Sequence, residues 1–386
     1  VTVIRRHEGA PGKSLHRGGR VTLATIPATT PAALSLIREE RPLIDVRAPV
    51  EFAQGALPGA VNLPLMVDDE RHQVGIAYKK HGQAAAIALG ERLVSGEVKQ
   101  ARVAAWQKYL AEYPDALIYC FRGGLRSQIA QQWLEEAGIS RPRLEGGWKA
   151  MRQALCERID TAAFQPMLVV AGLTGCAKTA LINQLDNGVD LEAYAHHKGS
   201  AFGRRPEEPA TQINFEHALA KRLIGLTEGL VIEDESRQIG NANIPLNFWR
   251  AQQQAPRVRI EMPLDWRLAQ IQQDYIIDLE QAYAARHGAY QGWQLIQAQL
   301  SNALIRLGKR LGNARLQRLQ RLQALAFKEH AHGNPQAHEA WLAPLLTEYY
   351  DPLYRYHLEK QRAAAPPEIH VGDWNSCLAA ARQWNR

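Results

Sequence analysis

The sequence predicts an α/β protein of two parallel-sheet units, the second prolonged by a helical extension. Three observations carry that prediction. Short apolar runs of strand length alternate with helical patterns from about residue 31. The 386 residues exceed one ordinary domain. Two glycine-rich loops each stand between an apolar run and a helix-like stretch. The divisions that follow are a basic N-terminal arm over 1–30, a first α/β domain over 31–155 and a second over 160–386, with its extension at about 265–360.

The elements are read in order. PLIDV (42–46), AVNLP (60–64) and ALIYC (116–120) are strands, and the Ala-rich stretch 71–107 is an inserted helical element. SQIAQQWLEEAG is an amphipathic helix from about Ser127, ended by Gly138. Gly146 and Gly147 mark a turn, and a helical segment over 149–159 leads out of the domain. MLVVAG (167–172), LVIEDE (230–235) and RVRIEMP (257–263) are further strands separated by helical stretches, which implies a mainly parallel sheet covered on both faces. From Asp265 to about Lys360 the pattern is helical, and EIHVGDW (368–374) returns a last short strand or cap.

Composition narrows the class. At 46% apolar the chain can bury a large core, which excludes a disordered or peptide-like scaffold. A surplus of 46 basic over 39 acidic residues leans toward an anionic partner. Cys120, Cys156, Cys176 and Cys377 form no CxxC pair, so neither a disulfide framework nor a zinc ribbon is expected. No apolar run approaches the ~20 residues of a membrane span, and the start of the chain lacks an apolar signal core, so a cytoplasmic protein with no membrane partner is expected.

Cys120 ends a strand and opens the loop CFRGGLR. Successive backbone N–H groups and a helix N-terminus would face the sulfur, with Arg122 and Arg126 nearby, which favours thiolate and attracts anions. A thiol merely packed at a strand end would leave two glycines and two arginines in the next six residues without a purpose. With LIDVRAPVEFAQGALPGAVNLP (43–64), this loop resembles the rhodanese family. The resemblance implies a rhodanese-like fold, a chalcogen carried on Cys120, and Asp45 and Arg47 building the domain around the loop. Arg126 lies six positions after Cys120, one more than in the commonest rhodanese loops. Cysteine phosphatases share that spacing, so an oxyanion substrate stays open.

GLTGCAKT (172–179) sits between a strand and a helix, as a phosphate loop requires, so the second domain is P-loop NTPase-like. The loop from Gly172 through Thr174, Gly175, Cys176 and Ala177 would wrap a phosphate with its N–H groups. Lys178 would reach across it and Thr179 would hold a metal or a phosphate oxygen. Ala177 replaces the usual second glycine and is expected in a right-handed helical start. Glu233, Asp234 and Glu235 end a strand where such a domain orients a metal, magnesium being compatible, or a base. A solvated acidic turn is the plainer alternative. His197, Lys198, Ser200, Arg204 and Arg205 form a further polar cluster.

A rhodanese-like domain followed by GLTGCAKT, DLEAYAHHKGSAFG, QINFE and VIEDESRQIG resembles the tRNA 2-selenouridine synthase family over almost the whole chain. The resemblance implies a tRNA partner with 2-thiouridine at the wobble position of its anticodon loop. It implies selenophosphate and geranyl diphosphate as substrates, no tightly bound cofactor, and selenophosphate synthetase as a partner. It implies further that the thiouridine sulfur is geranylated, with the loop 172–179 as the diphosphate site, and that the geranylthio group is then replaced by selenium carried on Cys120. Residues 303–328 hold seven Lys or Arg and no acid, with leucines at helical spacing. One helix there would lay Arg306, Lys309, Arg310, Arg315, Arg318 and Arg321 along tRNA phosphates; a solvated basic face is the plainer reading. The N-terminal arm, with Arg5, Arg6, Lys13, Arg17 and Arg20, is a second basic candidate, and Trp249, Trp266 and Tyr275 are candidates for base stacking. An ATP-dependent sulfurtransferase and a non-catalytic persulfide-relay module that binds tRNA are the competing readings.

Overall fold

The computed structural model describes residues 24–361 and 366–384, so the basic residues Arg5 to Arg20 lie outside the described residues. β1 (Thr25–Pro27), β2 (Leu43–Asp45), β3 (Ala60–Asn62), β4 (Leu117–Tyr119) and β5 (Arg143–Glu145) form a parallel sheet in the order β1-β5-β4-β2-β3. The chain continues through β6 (Met167–Gly172), β7 (Gly188–Val189), β8 (Leu230–Glu233), β9 (Gln238–Ile239), β10 (Ala242–Asn243), β11 (Arg257–Ile260) and β12 (Glu368–Gly372). A second parallel sheet has the order β12-β11-β6-β8-β7, while β9 and β10 form a separate antiparallel pair. β2, β4 and β6 are buried at every position. Strands covered on both faces read as continuous apolar runs, which is why these were visible in the sequence.

Two strands of the first sheet were not visible, nor were the two-residue strands β7, β9 and β10. β1 lies within the stretch read as a basic arm, and β5 follows the turn after Gly138; each has three residues, too few for a periodicity. The inserted element is a pair of helices, Asp68–Leu93 and Gly96–Glu112. The helix expected from Ser127 begins two residues earlier, as Leu125–Glu136.

The two sheets share one core. The helix Gly147–Ala162 buries Met151, Leu155 and Ile159 and packs against the helix Thr30–Arg38 from the first unit and the helix Gln212–Ile224 from the second. Leu43, Leu117 and Leu144 belong to the same apolar cluster as Val169, Leu230 and Ile232. Polar contacts fix the register between the units: the Ala56 N–H donates to Asn214 Oδ1 at 3.0 Å. Burial pushes the pKa of His217 down to about 4. Its neutral ring therefore donates from Nδ1 to the Ala56 carbonyl at 2.6 Å.

Gly55 marks the closest approach, since a Cβ there would fall 2.2 Å from Ile213 Cγ2. Its φ of 170° is open to any residue, so the requirement is space alone. Gly55→Ala is expected to lower stability by about 1–3 kcal/mol through overpacking, with Ile213→Ala restoring part of the loss in a double-mutant cycle read by denaturant melts. Additive losses would mean that the two units do not press together at this point.

Candidate active site

Both glycine-rich loops leave the C-terminal end of a central strand, with a neighbour on each side, where open α/β sheets place their ligands. Cys120 follows β4 and is buried, with Sγ 3.3 Å from Ser127 Oγ and 3.8 Å from the Gly124 carbonyl, over the first turn of the helix Leu125–Glu136. The turn at Gly146 and Gly147 closes the other side: the Trp148 N–H donates to the Cys120 carbonyl at 2.9 Å. Gly147 has φ 56°, and a Cβ on it would meet that carbonyl at 2.2 Å, so this position needs glycine. Asp45 and Arg47 form a buried pair at 2.6 Å; Arg47 also donates to the Gly55 carbonyl and stacks on Trp148 at 5.0 Å. They brace the loop rather than enter it.

The two loop arginines differ. Arg122 is exposed, 5.9 Å over the Phe121 ring. Arg126, expected to face the anion alongside it, is instead held by Glu51 at 2.6 and 3.2 Å, and Glu51 also takes Arg71 at 3.3 Å. Glu51, Arg71 and Ser127 therefore belong to the site, although the sequence reading did not assign them. Glu51 sits 75 residues from Arg126, a separation at which no spacing rule operates.

The loop 172–179 is clasped from outside. Tyr354 Oη accepts from the Gly172 N–H at 3.1 Å, Trp374 Nε1 donates to the Ala177 carbonyl at 3.1 Å, and Arg267 donates to the Thr174 carbonyl at 3.2 Å. Arg267 is itself locked to Asp351 at 2.9 and 2.7 Å, so the helical extension holds the loop's shape. Ala177 is not in the expected right-handed start: φ 53° and ψ 43° place it in the left-handed region. An L-residue pays roughly 1–2 kcal/mol there, and the surrounding hydrogen bonds hold the cradle despite it. Gly175, at φ 88°, supplies the other left-handed turn. Cys176 faces inward against the Ile260 carbonyl, and burial raises its thiol pKa, so it packs rather than reacts. Cys377 is buried likewise.

Lys178 Nζ donates to the Gly172 carbonyl at 3.3 Å. Thr179 Oγ1 donates to Glu233 at 2.8 Å and to Glu192 at 3.3 Å. Glu192, Glu233 and Glu235 bring one oxygen each to within 4.8 Å of one another. Glu192 was missed because it lies in the segment 190–203, where only the basic and hydroxyl residues drew notice. Asp234, grouped with its neighbours in the sequence, points away and pairs with Arg257 at 3.3 Å. Glu233 keeps a buried oxygen, Oε1, with no hydrogen-bond partner. An all-oxygen set with an orphaned carboxylate oxygen fits a hard divalent cation such as magnesium.

The polar segment is only partly at this site. Gly199 lies against Glu235 and donates its N–H to Glu192. Lys198, however, is bound to Asp274 at 2.9 Å over the Tyr275 ring, and Ser200 is tied to Tyr275 at 3.2 Å. His197 and Arg204 form a β-bridge, and Arg205 and Arg306 help burial to depress the His197 pKa. The single basic helix expected over 303–328 is three pieces, Ala289–Arg306, Gly308–Leu311 and Asn313–Ala331, broken at Leu307 and at Gly312 with φ 76°. Arg306 donates to the Ala201 carbonyl, Arg310 bonds to Tyr349, and Arg315 and Arg318 both pair with Glu348. Lys309 and Arg321 are exposed. Tyr275 carries Lys198 over its ring and Trp249 packs on the shared core; like Trp266, both are half-buried.

Burial, then repulsion from Glu192, raises the pKa of Glu235 to about 8; Glu233 is raised well above the carboxylate range by burial, Glu192 and Glu235. Lys178 stays protonated, because Glu235 and Glu233 outweigh the burial that would lower its pKa. Carboxyls with raised folded-state pKa values bind protons that the unfolded chain has released, so stability falls as pH rises from about 4.5 through 8. In chelated buffer Tm is therefore expected to drop between pH 6 and 9, and magnesium to recover more of it at pH 9 than at pH 6. A flat profile with no magnesium effect would contradict this account of the carboxylate cluster.

Comparison with known proteins places both units. Residues 30–154 match the rhodanese-like domain, and residues 165–386 match the tRNA 2-selenouridine synthase AAA domain. A tRNA 2-selenouridine synthase from Chromohalobacter salexigens is 65% identical over 90% of this chain and 95% of its own length. Those from Serratia proteamaculans and Bordetella bronchiseptica are 49% and 48% identical, over 84% and 89% of this chain and 88% and 95% of theirs. The chain, with its cysteine loop and phosphate loop on one core, belongs to the tRNA 2-selenouridine synthase family.

Proposed function

We propose that this chain is a tRNA-modifying transferase that makes 2-selenouridine from wobble 2-thiouridine in two steps, one at each loop. The observation that carries the reading is the pairing, on one shared core, of a buried cysteine at a strand end, in a loop that opens a helix, with a phosphate loop. The names of its relatives support the product. In the first step the loop 172–179 and Lys178 hold the diphosphate of geranyl diphosphate; the thiouridine sulfur attacks the allylic carbon, the S–C bond forms and diphosphate leaves with the C–O pair. A magnesium ion, held by Thr179, Glu233, Glu192 and Glu235, would add positive charge beside the leaving group.

In the second step Cys120 and Arg122 hold selenophosphate; water takes the phosphoryl group, the P–Se bond breaks with its pair on selenium, phosphate leaves, and the selenide so released beside Cys120 replaces the geranylthio group. The C2–Se bond forms and the C2–S bond breaks, and geranylthiolate leaves with the pair. Selenium enters at the selenide level that selenophosphate provides, so the overall exchange needs no oxidant. Selenophosphate synthetase is the supplying partner and the cytoplasm the setting; among the described residues no helix is long and apolar enough to cross a membrane. Exposed Lys309, Arg318 and Arg321 offer the tRNA a basic face, weakened by Glu348. The contact of Thr179 with Glu233 equally suits a magnesium nucleotide, which keeps an ATP-dependent sulfurtransferase as the second reading.

Nucleoside mass analysis after incubating the protein with 2-thiouridine tRNA, geranyl diphosphate and selenophosphate tests the division. Cys120→Ser is expected to abolish 2-selenouridine while S-geranyl product persists. Lys178→Ala is expected to slow geranylation by on the order of a hundredfold. Equal loss of both products in Cys120→Ser would sink the two-loop scheme, and ATP consumption with neither product in the wild type would select the second reading.

A further inference from the structure

The inserted helix Asp68–Leu93 has no single apolar face, and it is broken near its middle at Gly82, with φ 82° and ψ −174°. With the helix Leu125–Glu136 it encloses an open groove of about 910 Å³. Leu65, Val74, Ile87, Ile129 and Trp133 line it. Ile76 and Leu125, at 41% and 45% exposure, leave apolar surface open there. The size falls within the roughly 300–1,000 Å³ of ligand sites. Leu125 and Arg126 are the last two residues of the Cys120 loop, so the groove opens beside the cysteine. Its polar lining mixes His72 and Lys79 with Glu91, and Arg71 and Arg126 with the Glu51 that pairs with both. By contrast, the apolar crevice beside the phosphate loop, lined by Thr174, Ile271, Tyr275 and Trp341, measures about 30 Å³, room for about one water.

We propose that this groove receives the geranyl chain of S-geranyl tRNA while the modified base is presented to Cys120. The inference rests on the thioether intermediate of the preceding reading. A largely apolar trough of this volume, lying directly beside the cysteine loop, suits a ten-carbon chain whose thioether end is brought to Cys120. Seating the chain there points the thioether sulfur toward the cradle, so that when the C2–Se bond forms and the C2–S bond breaks, geranylthiolate departs into an apolar channel and takes up a proton at the rim. The groove thereby makes the second step selective for a long S-alkyl group.

The test uses full-length protein, selenophosphate and tRNA anticodon stem-loops carrying either S-geranyl or S-dimethylallyl 2-thiouridine. The wild type is expected to form 2-selenouridine from the geranyl substrate with kcat/KM at least about tenfold higher. Ile76→Glu, at an exposed position, and Ile87→Glu are each expected to bring that ratio toward one by raising KM for the geranyl substrate. An unchanged melting curve for Ile76→Glu keeps the result independent of folding. A wild type with no chain-length preference, or two variants that retain it, would overturn the groove assignment alone. Selenation of unalkylated 2-thiouridine without geranyl diphosphate, with both S-alkyl substrates inert, would overturn the thioether reading and the groove with it.

Discussion

The helix Gly147–Ala162 is buried on both flanks, between the helix Thr30–Arg38 and the helix Gln212–Ile224, and the two sheets cannot separate without exposing it. The constraint reaches both reactive loops. At its start, Gly147 and Trp148 close over Cys120. Along its length it joins the cluster containing Val169 of β6, the strand that delivers the phosphate loop. Two domains of this size joined by a linker would be expected to move relative to one another. Here a continuous close-packed core fixes the distance between the cysteine loop and the phosphate loop.

The cradles meet the same electrostatic problem in opposite ways. At Cys120 one of two arginines is compensated by Glu51, leaving exposed Arg122 to meet an incoming anion. At Lys178 one ammonium faces Glu192, Glu233 and Glu235, whose raised pKa values show that the cluster does not hold three negative charges without a cation to balance them. The first is ready for a small monoanion or dianion by itself. The second is suited to a diphosphate that arrives with a divalent cation.

Much of this was legible in the sequence because the chemistry is local. The strands β2, β4 and β6 and the loops CFRGGLR and GLTGCAKT are contiguous, and burial on both faces writes them as apolar runs. What escaped was non-local or geometric. Glu51 and Glu192 join their sites across 75 and 41 residues, and Arg267 and Tyr354 grip the phosphate loop from the far end of the chain. Ala177 shows the limit of residue preference, since packing forces an alanine into a left-handed turn. Leucine spacing suggested one helix over 303–328, but Gly312 breaks the run and Glu348, a distant acid, takes two of its arginines.

The central claim is that the two loops bind different anions. Amide hydrogen exchange, followed with geranyl diphosphate and selenophosphate added separately, reads this without depending on turnover. Geranyl diphosphate is predicted to slow exchange across 172–179 and to leave 120–127 unchanged, while selenophosphate does the reverse. Protection of the same loop by both anions would contradict the account.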